Sequence, residues 1–179
     1  MLDSCLESLG FADEILVVDS ASSDATHEIA ARHGARVVQK EWLGFGRQKQ
    51  FAVDQARHDW VLCIDADERV SRELAASIRQ ALAAPVSPVY RMARRNRFLG
   101  KWLSHGEGYP DWSPRLFNRL NARWSDDLVH EKVLYAVTPG TLADIVVLSR
   151  DIMTCPEAEI RSAKVVYTIV GGKIVHTSE

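Results

Sequence analysis

Residues 59–68 read DWVLCIDADE, in which an uninterrupted apolar run over 60–64 is followed by the acidic segment Asp65-Ala66-Asp67-Glu68. Because the apolar residues are continuous rather than alternating, they predict a strand covered on both faces, as in the parallel sheet of an α/β protein. Ligands of such sheets bind beyond the carboxyl ends of the strands, where Asp65 and Asp67 fall. The stretch therefore predicts both a sheet and a ligand site at one of its edges.

The same pattern occurs upstream, where residues 15–18 form a short β-branched run that ends at Asp19. A third short strand is predicted over residues 35–38, and helices are predicted over about residues 25–32, 48–57 and 71–83. Gly34 is placed to end the first of these helices. The alternation of strand and helix is that of an α/β domain.

Length and composition exclude several classes of protein. The 179 residues suit about one domain, and a net charge of −2 gives no reason to expect a nucleic-acid partner. The longest apolar stretches are too short to span a bilayer, and the acidic start MLDSCLESLG is unlike a signal peptide. Three widely spaced cysteines argue against a disulfide framework or a zinc ribbon and suit a reducing cytosol.

The texture of the sequence changes twice downstream. Residues 88–134 are rich in aromatic and basic side chains, which favours short strands and long loops that build a pocket wall. Beyond residue 139 the chain is rich in β-branched residues, with a strand over 145–148 and a hairpin whose arms, 165–170 and 173–176, flank two glycines. We therefore predict two domains, 1–137 and a β-rich tail over 138–179.

The paired carboxylates Asp65 and Asp67 are candidate metal ligands. Two carboxylates spaced two residues apart in an extended turn can face one hard cation, for which Mg²⁺ or Mn²⁺ is suited because both accept oxygen ligands. The alternative is a strand end followed by a helix cap at Asp67 or Ser71. The pattern alone leaves both interpretations open.

Asp19 is a candidate nucleotide-binding residue. A carboxylate at the end of a core strand needs a partner, and the small hydroxylated residues after it, Ser22 among them, leave room for a base or a ribose. Ser23 and Asp24 are better explained as caps of the next helix.

The segment Gly44-Phe45-Gly46-Arg47-Gln48-Lys49 combines two glycines with two cations. Arg47 and Lys49 could steady a diphosphate, although the segment lacks the spacing of a phosphate-binding loop. A turn followed by a solvated helix start explains it equally well.

Two further carboxylates, Asp111 and Glu131, are candidates for a general base. Trp102, Tyr109 and Trp112 could stack on sugar rings, with ordinary core packing as the alternative. The neighbouring arginines 94, 95 and 97 fit either a phosphorylated saccharide or a solvated face.

Taken together, six segments resemble a family 2 glycosyltransferase with the GT-A fold. They are ILVVDSASSDAT (15–26), GFGRQKQFAVDQA (44–56), DWVLCIDADERV (59–70), RRNRFLGKWLSHG (94–106), YPDWSPRLFNR (109–119) and DDLVHEKV (126–133). The resemblance covers residues 1 to about 134 and is closest to the bacterial subgroup that adds a sugar to the lipopolysaccharide core. It implies a Rossmann-like, mostly parallel sheet.

The resemblance also implies a reaction. A UDP-sugar donor would be bound through the nucleotide-binding residues Asp19, Ser22, Arg47, Lys49 and Asp65, and a divalent cation, Mg²⁺ or Mn²⁺, through Asp65 and Asp67. Members of this family invert the anomeric centre in one displacement, for which Asp111 is the first choice of base and Glu131 the second. The acceptor would be a saccharide or lipid-linked saccharide, which implies a cytoplasmic enzyme, peripheral at the inner membrane.

The sequence departs from the family at both ends. The family's first strand is missing, which predicts an exposed sheet edge beside residues 15–19, and Gln50 stands where asparagine is usual. Residues 139–179 resemble the C-terminal tail of amidohydrolases but carry no His-x-His ligand motif, so amidohydrolase chemistry is not expected. The chain resembles a fusion of two partial genes, and the alternatives to a transferase are an inactive or nucleotide-binding-only remnant and an amidohydrolase fragment.

Overall fold

The computed structural model describes residues 1–95, 97–98, 101–102, 110–137, 139–142, 145–148, 165–170 and 173–177. These residues form two compact units. One comprises Met1–Ser71 with Val86–Thr141, and the other comprises Arg72–Pro85 with Leu142–Glu179. The domain boundary expected after residue 137 stays a prediction.

The first unit opens with the predicted alternation of helices and strands. Its elements are α1 (Leu2–Ser8), β1 (Leu16–Asp19), α2 (Thr26–Arg32), β2 (Arg36–Gln39), α3 (Phe45–Gln55) and β3 (Trp60–Leu62). Strands β1 and β2 pair in parallel, with Leu16 opposite Arg36 and Asp19 opposite Gln39. The parallel pairing places Asp19 at the carboxyl end of β1, as the sequence predicts.

Local signals fix the ends of α2. The Asp24 carboxylate accepts hydrogen bonds from the Thr26 backbone N–H at 3.1 Å and from the Thr26 hydroxyl at 2.6 Å. Gly34 has a φ of +66°, a conformation that glycine adopts without steric cost, and it follows His33, the C-cap residue of the helix. Gly34 therefore lies at the end of the helix for which the sequence proposed it, whereas the N-cap residue is Ala25, one position after the predicted Asp24.

Helix α3 begins at Phe45 rather than near residue 48, so most of the glycine-rich segment is helical. Gly44, with a φ of +90°, precedes the helix as its cap residue. The N–H groups of Phe45 and Gly46 donate to the carbonyl oxygens of Leu128 and Asp127 at 3.4 and 3.3 Å. The first turn is thus stabilised by a distant loop, which no local pattern reveals.

Strand β3 lies at the edge of a four-stranded sheet in the order β10 (Gly140–Leu142), β4 (Val89–Arg94), β7 (Asp111–Asn118), β3. It pairs antiparallel with β7, as does β4. The sheet is therefore less parallel than expected, and among the described strands the parallel pair is β1 with β2.

The open edge expected beside residues 15–19 agrees with the strand pairing. Within the described part of the chain, β1 and β2 form a sheet of two strands that does not include β3. Accordingly, Leu16, Val17 and Val18 are half-buried, whereas the sequence predicts a strand covered on both faces. With one neighbouring strand instead of two, β1 has less sheet around it to exclude water.

The hydrophobic core of the first unit lies between α3 and strands that follow it in the sequence. Strand β8 (Ala122–Trp124) pairs antiparallel with β9 (Val133–Tyr135) and contributes Trp124, whose ring packs edge to face on Phe117 at a centroid distance of 6.5 Å. The core residues are Val53, Val61, Val89, Phe117, Ala122, Trp124 and Val133. Burial of these side chains holds β3, β7 and β8 together, and this packing supports the segment after β3 that carries Asp65.

The predicted tail strands are present. In the second unit β11 (Ile145–Leu148), β12 (Val165–Val170) and β13 (Lys173–Thr177) form an antiparallel sheet in that order, and the unit also contains α4 (Arg72–Ala83). The turn expected at residues 171–172 lies outside the described residues.

Two short strands, β5 (Arg97–Phe98) and β6 (Lys101–Trp102), pair antiparallel. None of the helices in the described ranges has the length and apolar character needed to cross a bilayer.

Candidate active site

Asp65 lies in a tight turn that follows β3. Its backbone N–H donates to Glu68 Oε2 at 3.0 Å, and the Glu68 N–H donates to the Asp65 carbonyl at 2.9 Å. The Asp65 carboxylate faces two cations, with Lys49 Nζ 2.9 Å from Oδ1 and Arg115 Nη2 3.0 Å from Oδ2. Burial opposes ionisation of Asp65, but the charges of Arg115 and Lys49 outweigh it and lower its pKa.

Arg115 is the most deeply buried member of this group. It lies on β7 with 4% of its side chain exposed and donates from Nη2 to Asp65 and, at 3.1 Å, to Glu68 Oε1. Its guanidinium carbon is 5.9 Å from the Trp124 ring centroid, and its buried Nε has no hydrogen-bond partner among the described residues. A buried cation needs compensating negative charge, which Asp65 and Glu68 supply.

Asp111, the first choice of general base, is paired with Arg94. The two residues are directly opposite each other on β7 and β4, and Arg94 donates to Asp111 Oδ2 from Nε at 3.0 Å and from Nη2 at 2.5 Å. Arg94 also donates from Nη1 to Glu68 Oε1 at 3.3 Å. One of the two interpretations of Arg94, that it lies on a solvated face without partners, is therefore wrong.

Glu131, the second choice of base, is paired with Lys49. It lies in the loop before β9, and Lys49 Nζ donates to its Oε1 at 2.7 Å while lying 4.9 Å from the Trp124 ring centroid. Burial opposes ionisation of Glu131, but the hydrogen bond from Lys49 lowers its pKa.

These contacts join into one series of alternating charges, which we call the ion-pair chain. Lys49 connects Asp65 to Glu131, and on the other side Arg115 and Arg94 connect it through Glu68 to Asp111. In order, the members are Glu131, Lys49, Asp65, Arg115, Glu68, Arg94 and Asp111. The fold thus links both candidate bases to the predicted diphosphate site.

Asp19 forms a second, separate cluster at the end of β1. Both of its carboxylate oxygens lie 3.2 Å from the Ser22 N–H, and Oδ2 lies 3.0 Å from His27 Nε2. Hydrogen bonding from Ser22 lowers the pKa of this buried carboxyl despite the opposing effect of burial. Gln48 connects α3 to the same loop by donating to Ser20 Oγ at 3.0 Å. Asp19 thus has partners within the protein, and Ser22 belongs to its cluster.

Two of the predicted site residues belong neither to the ion-pair chain nor to the Asp19 cluster. Asp67 is exposed in the turn after Asp65, and Arg47 is exposed in the first turn of α3. Neither is a member of the network around Asp65. Helix α4 begins at Arg72, so Asp67 lies too far ahead of it to be the N-cap residue, which was the alternative interpretation of Asp67.

The residues around Asp65 can be tested against a divalent cation. Within the described ranges, no group of three or more His, Cys, Asp or Glu side chains is arranged to hold a metal ion. Mg²⁺ commonly binds instead through one or two carboxylates plus substrate phosphates. The partly exposed Asp65 and the exposed Asp67 fit that open type of site, which requires the phosphates of a ligand to complete it.

Sequence reasoning missed the roles of Arg115 and Glu68. One signal was available: Arg115 stands in the run Pro114-Arg115-Leu116-Phe117, and an arginine between core residues of a strand needs buried partners.

Trp112 is partly exposed with the Arg91 guanidinium 5.2 Å from its ring centroid. The expected stacking roles of Trp102 and Tyr109 concern side chains outside the described part of the structure.

A comparison with protein families decides the affiliation of the chain. The model of the family described as Glycosyl transferase family 2 matches residues 1–135, which is most of the sequence. The chain belongs to glycosyl transferase family 2. Its α/β fold class is therefore the GT-A class that the sequence predicts. A second model, that of an amidohydrolase family, matches residues 122–176, in agreement with the resemblance of the tail.

Relatives carry the same affiliation. An uncharacterized glycosyltransferase of Rickettsia conorii is 51% identical over 61% of this chain and 36% of its own length. The lipopolysaccharide core biosynthesis glycosyltransferase LpsC of Rhizobium meliloti is 33% identical over 74% of this chain and 52% of its own length. This family 2 chain thus spans between about a third and a half of these two relatives.

Among solved structures, S. aureus TarS residues 1–349 in complex with UDP-GlcNAc is similar to this chain. The TM-score is 0.48 at 23% identity, over 58% of this chain and 33% of the other.

Proposed function

We propose that this chain transfers a sugar from a UDP-linked donor to a saccharide acceptor, with the ion-pair chain around Asp65 as the reaction centre. The single observation that carries the proposal is the convergence of Lys49 and Arg115 on Asp65, directly after β3. Cations held at a strand end favour the negative charge that develops on a departing diphosphate. Membership of family 2 supports the same reaction class.

The donor would lie between the two clusters. Asp19 and Ser22 would contact the uracil or ribose, and Lys49 and Arg47 would approach the diphosphate from α3. Lys49 is suited to this because its ammonium lies at the junction of Asp65 and Glu131, where it can exchange a carboxylate for a phosphate oxygen. Arg47 is suited by its exposure in the first turn of the same helix.

Asp65 and Asp67 would hold Mg²⁺ or Mn²⁺ together with the donor phosphates. When bound, such a cation neutralises charge on the leaving diphosphate. Arg115 would act as a positioning residue, because it fixes the Asp65 carboxylate from a buried site. Lys49 would compete with the cation for Asp65 until the phosphates arrive.

A base must remove the proton of the attacking acceptor hydroxyl. Asp111 is the first choice and Glu131 the second, and either would support a single displacement that inverts the anomeric centre. Each is held by a cation, Arg94 for Asp111 and Lys49 for Glu131. Movement of that cation toward the diphosphate would free the carboxylate at the moment when a base is needed.

The acceptor would be a sugar of the lipopolysaccharide core or a related lipid-linked saccharide. The similarity to LpsC, a protein named for lipopolysaccharide core biosynthesis, supports this class. A lipid-linked acceptor would place the enzyme in the cytoplasm, at the inner face of the membrane.

Isothermal titration with UDP, with and without Mn²⁺, tests the proposal, followed by an assay for sugar transfer from UDP-sugars. We expect UDP binding that strengthens in Mn²⁺ and release of UDP with an acceptor present. The β1–β2 sheet, which has two strands within the described residues, favours a second candidate, a domain that binds nucleotide only. Metal-dependent binding without transfer would support that second candidate, and no UDP binding would contradict both.

A further inference from the structure

Two large aromatic side chains stand exposed at the start of α3. Trp42 is 56% exposed and Phe45 is 49% exposed, and their ring centroids lie 5.0 Å apart with the planes at 87°. Keeping such rings in water forgoes the free energy that burial would provide. Contiguous exposed apolar surface of this kind marks a site of interaction.

The two rings belong to a larger surface. Leu128 and Val129 are both exposed, and the Phe45 N–H donates to the Leu128 carbonyl at 3.4 Å. A Cβ added at Gly44 would lie 2.9 Å from Leu128 Cδ2, so the leucine side chain lies directly against the loop that carries Trp42. We call Trp42, Phe45, Leu128 and Val129 the aromatic platform.

The aromatic platform lies beside the ion-pair chain. Lys49 follows Phe45 by one helical turn and therefore lies on the same side of α3. Glu131 follows Leu128 by three residues, and the 2.7 Å contact between Lys49 and Glu131 joins the helix to the loop at that point. Two connections, one at Leu128 and one at Glu131, thus hold the platform against the reaction centre.

We propose that the aromatic platform binds a sugar ring of the acceptor next to the ion-pair chain, an inference that rests on the proposed function. The C–H face of a pyranose packs on an aromatic ring, while its hydroxyls need hydrogen-bonding partners at the rim. Two perpendicular rings form a corner that can contact a sugar on two sides. Exposed polar groups flank the platform in sequence on both segments: Glu41, Arg47, Asp126, Asp127 and Lys132.

The charges of that rim favour a saccharide over a lipid surface. Binding to an anionic bilayer depends on an excess of lysine and arginine beside the apolar residues. Here three carboxylates accompany two cations, and the carboxylates would be repelled by anionic headgroups. Mixed carboxylate and cationic groups instead match the hydroxyls of a sugar, which both donate and accept hydrogen bonds.

Saturation-transfer NMR on the full chain tests the inference, with core oligosaccharide released from lipopolysaccharide by mild acid as the probe. The variants are Trp42→Leu and Phe45→Leu, with Trp42→Phe as the conservative exchange and Leu120→Ala, at another exposed apolar residue, as the control. We expect about tenfold weaker binding in each leucine variant. Trp42→Phe should retain most of the affinity, and the control should equal the wild type. Thermal unfolding shows which variants fold. If Trp42→Leu does not fold, Phe45→Leu provides the test.

Parallel titrations with UDP separate this inference from the proposed function. Oligosaccharide binding that depends on Trp42 supports the platform, whether or not UDP binds. If UDP does not bind, the proposal that the donor is a UDP-sugar is contradicted. Equal binding by the wild type and both leucine variants overturns the platform, as does a wild type that binds UDP but no oligosaccharide. Sedimentation with phosphatidylethanolamine and phosphatidylglycerol vesicles that depends on Trp42, without oligosaccharide binding, overturns it in favour of a membrane surface.

Discussion

Arg115 Nη2 lies 3.0 Å from Asp65 Oδ2, and this contact joins an almost fully buried cation to a carboxylate at the surface. Asp65 belongs to the turn after β3, whereas Arg115 lies on β7, the antiparallel neighbour of β3. The strand pairing therefore sets the position of the predicted diphosphate site. Arg115 is held in turn by Glu68, which Arg94 also contacts.

Replacement of Arg115 by methionine should destabilise the fold. The variant leaves Asp65 and Glu68 without their buried partner, and we expect a loss of about 1–3 kcal/mol in the free energy of unfolding, toward the lower end because both carboxylates are partly exposed. Urea denaturation measures the loss. Arg32→Met, which removes an exposed ion pair with Asp3, is the matched control and should leave the midpoint of urea denaturation essentially unchanged. Similar values for the two variants would contradict a structural role of Arg115.

The choice between the two bases can be tested by amide substitutions. Asp111→Asn should leave UDP affinity unchanged and lower the rate of sugar transfer by about 10²–10⁴-fold, because the amide cannot accept the proton. Glu131→Gln is the comparison variant. Single-turnover rates and UDP titrations together separate binding from catalysis. If Asp111→Asn turns over like the wild type while Glu131→Gln is slow, the assignment passes to Glu131.

The pH dependence of stability should reveal the role of Lys49. The folded-state pKa values of Asp65 and Glu131 are lowered, in part by Lys49. Such carboxylates stabilise the fold above their unfolded-state pKa of about 4, and the stabilisation is lost as the pH falls through the lower folded-state values. Lys49→Met should therefore be less stable than the wild type at neutral pH, with the difference shrinking as the pH falls below about 4. Urea denaturation across this range provides the measurement, and a difference that does not change with pH would contradict the assigned contacts.

Gly46 should not tolerate a larger residue. A Cβ at this position would lie 2.8 Å from the Asp127 carbonyl oxygen and closer still to that of Ser125. We expect Gly46→Ala to cost about 1–3 kcal/mol in the free energy of unfolding, because backbone atoms must move apart. Gly10→Ala, where the nearest atom is 3.5 Å away, is the control. Equal stability of the two variants would show that the helix start is not packed on the 125–128 loop.

The sequence predicts those parts of the site that depend on local pattern. Asp19 and Asp65 end apolar runs, so their places at the end of β1 and just after β3 follow from periodicity alone. The strands of the tail were likewise predictable from their β-branched residues and the two glycines at 171–172.

The rest of the site depends on contacts between distant segments. Arg94 meets Asp111 because β4 and β7 pair in one particular register, and a shift of one residue would turn Asp111 to the other face. Likewise, α3 starts early because its first N–H groups find carbonyl oxygens some 80 residues further along the chain. Such partners cannot be identified from composition, capping residues or spacing within either segment.

The central claim, that carboxylates after β3 bind the metal and diphosphate of a nucleotide donor, is tested most directly with Asp67→Ala. Asp67 is exposed and outside the ion-pair chain, so its removal should leave the thermal unfolding midpoint unchanged. Isothermal titration with UDP should show that the gain in affinity caused by Mn²⁺ is lost in this variant and retained in Asp13→Ala, an exposed carboxylate elsewhere. An Asp67→Ala protein that binds UDP in Mn²⁺ as tightly as the wild type would contradict the claim.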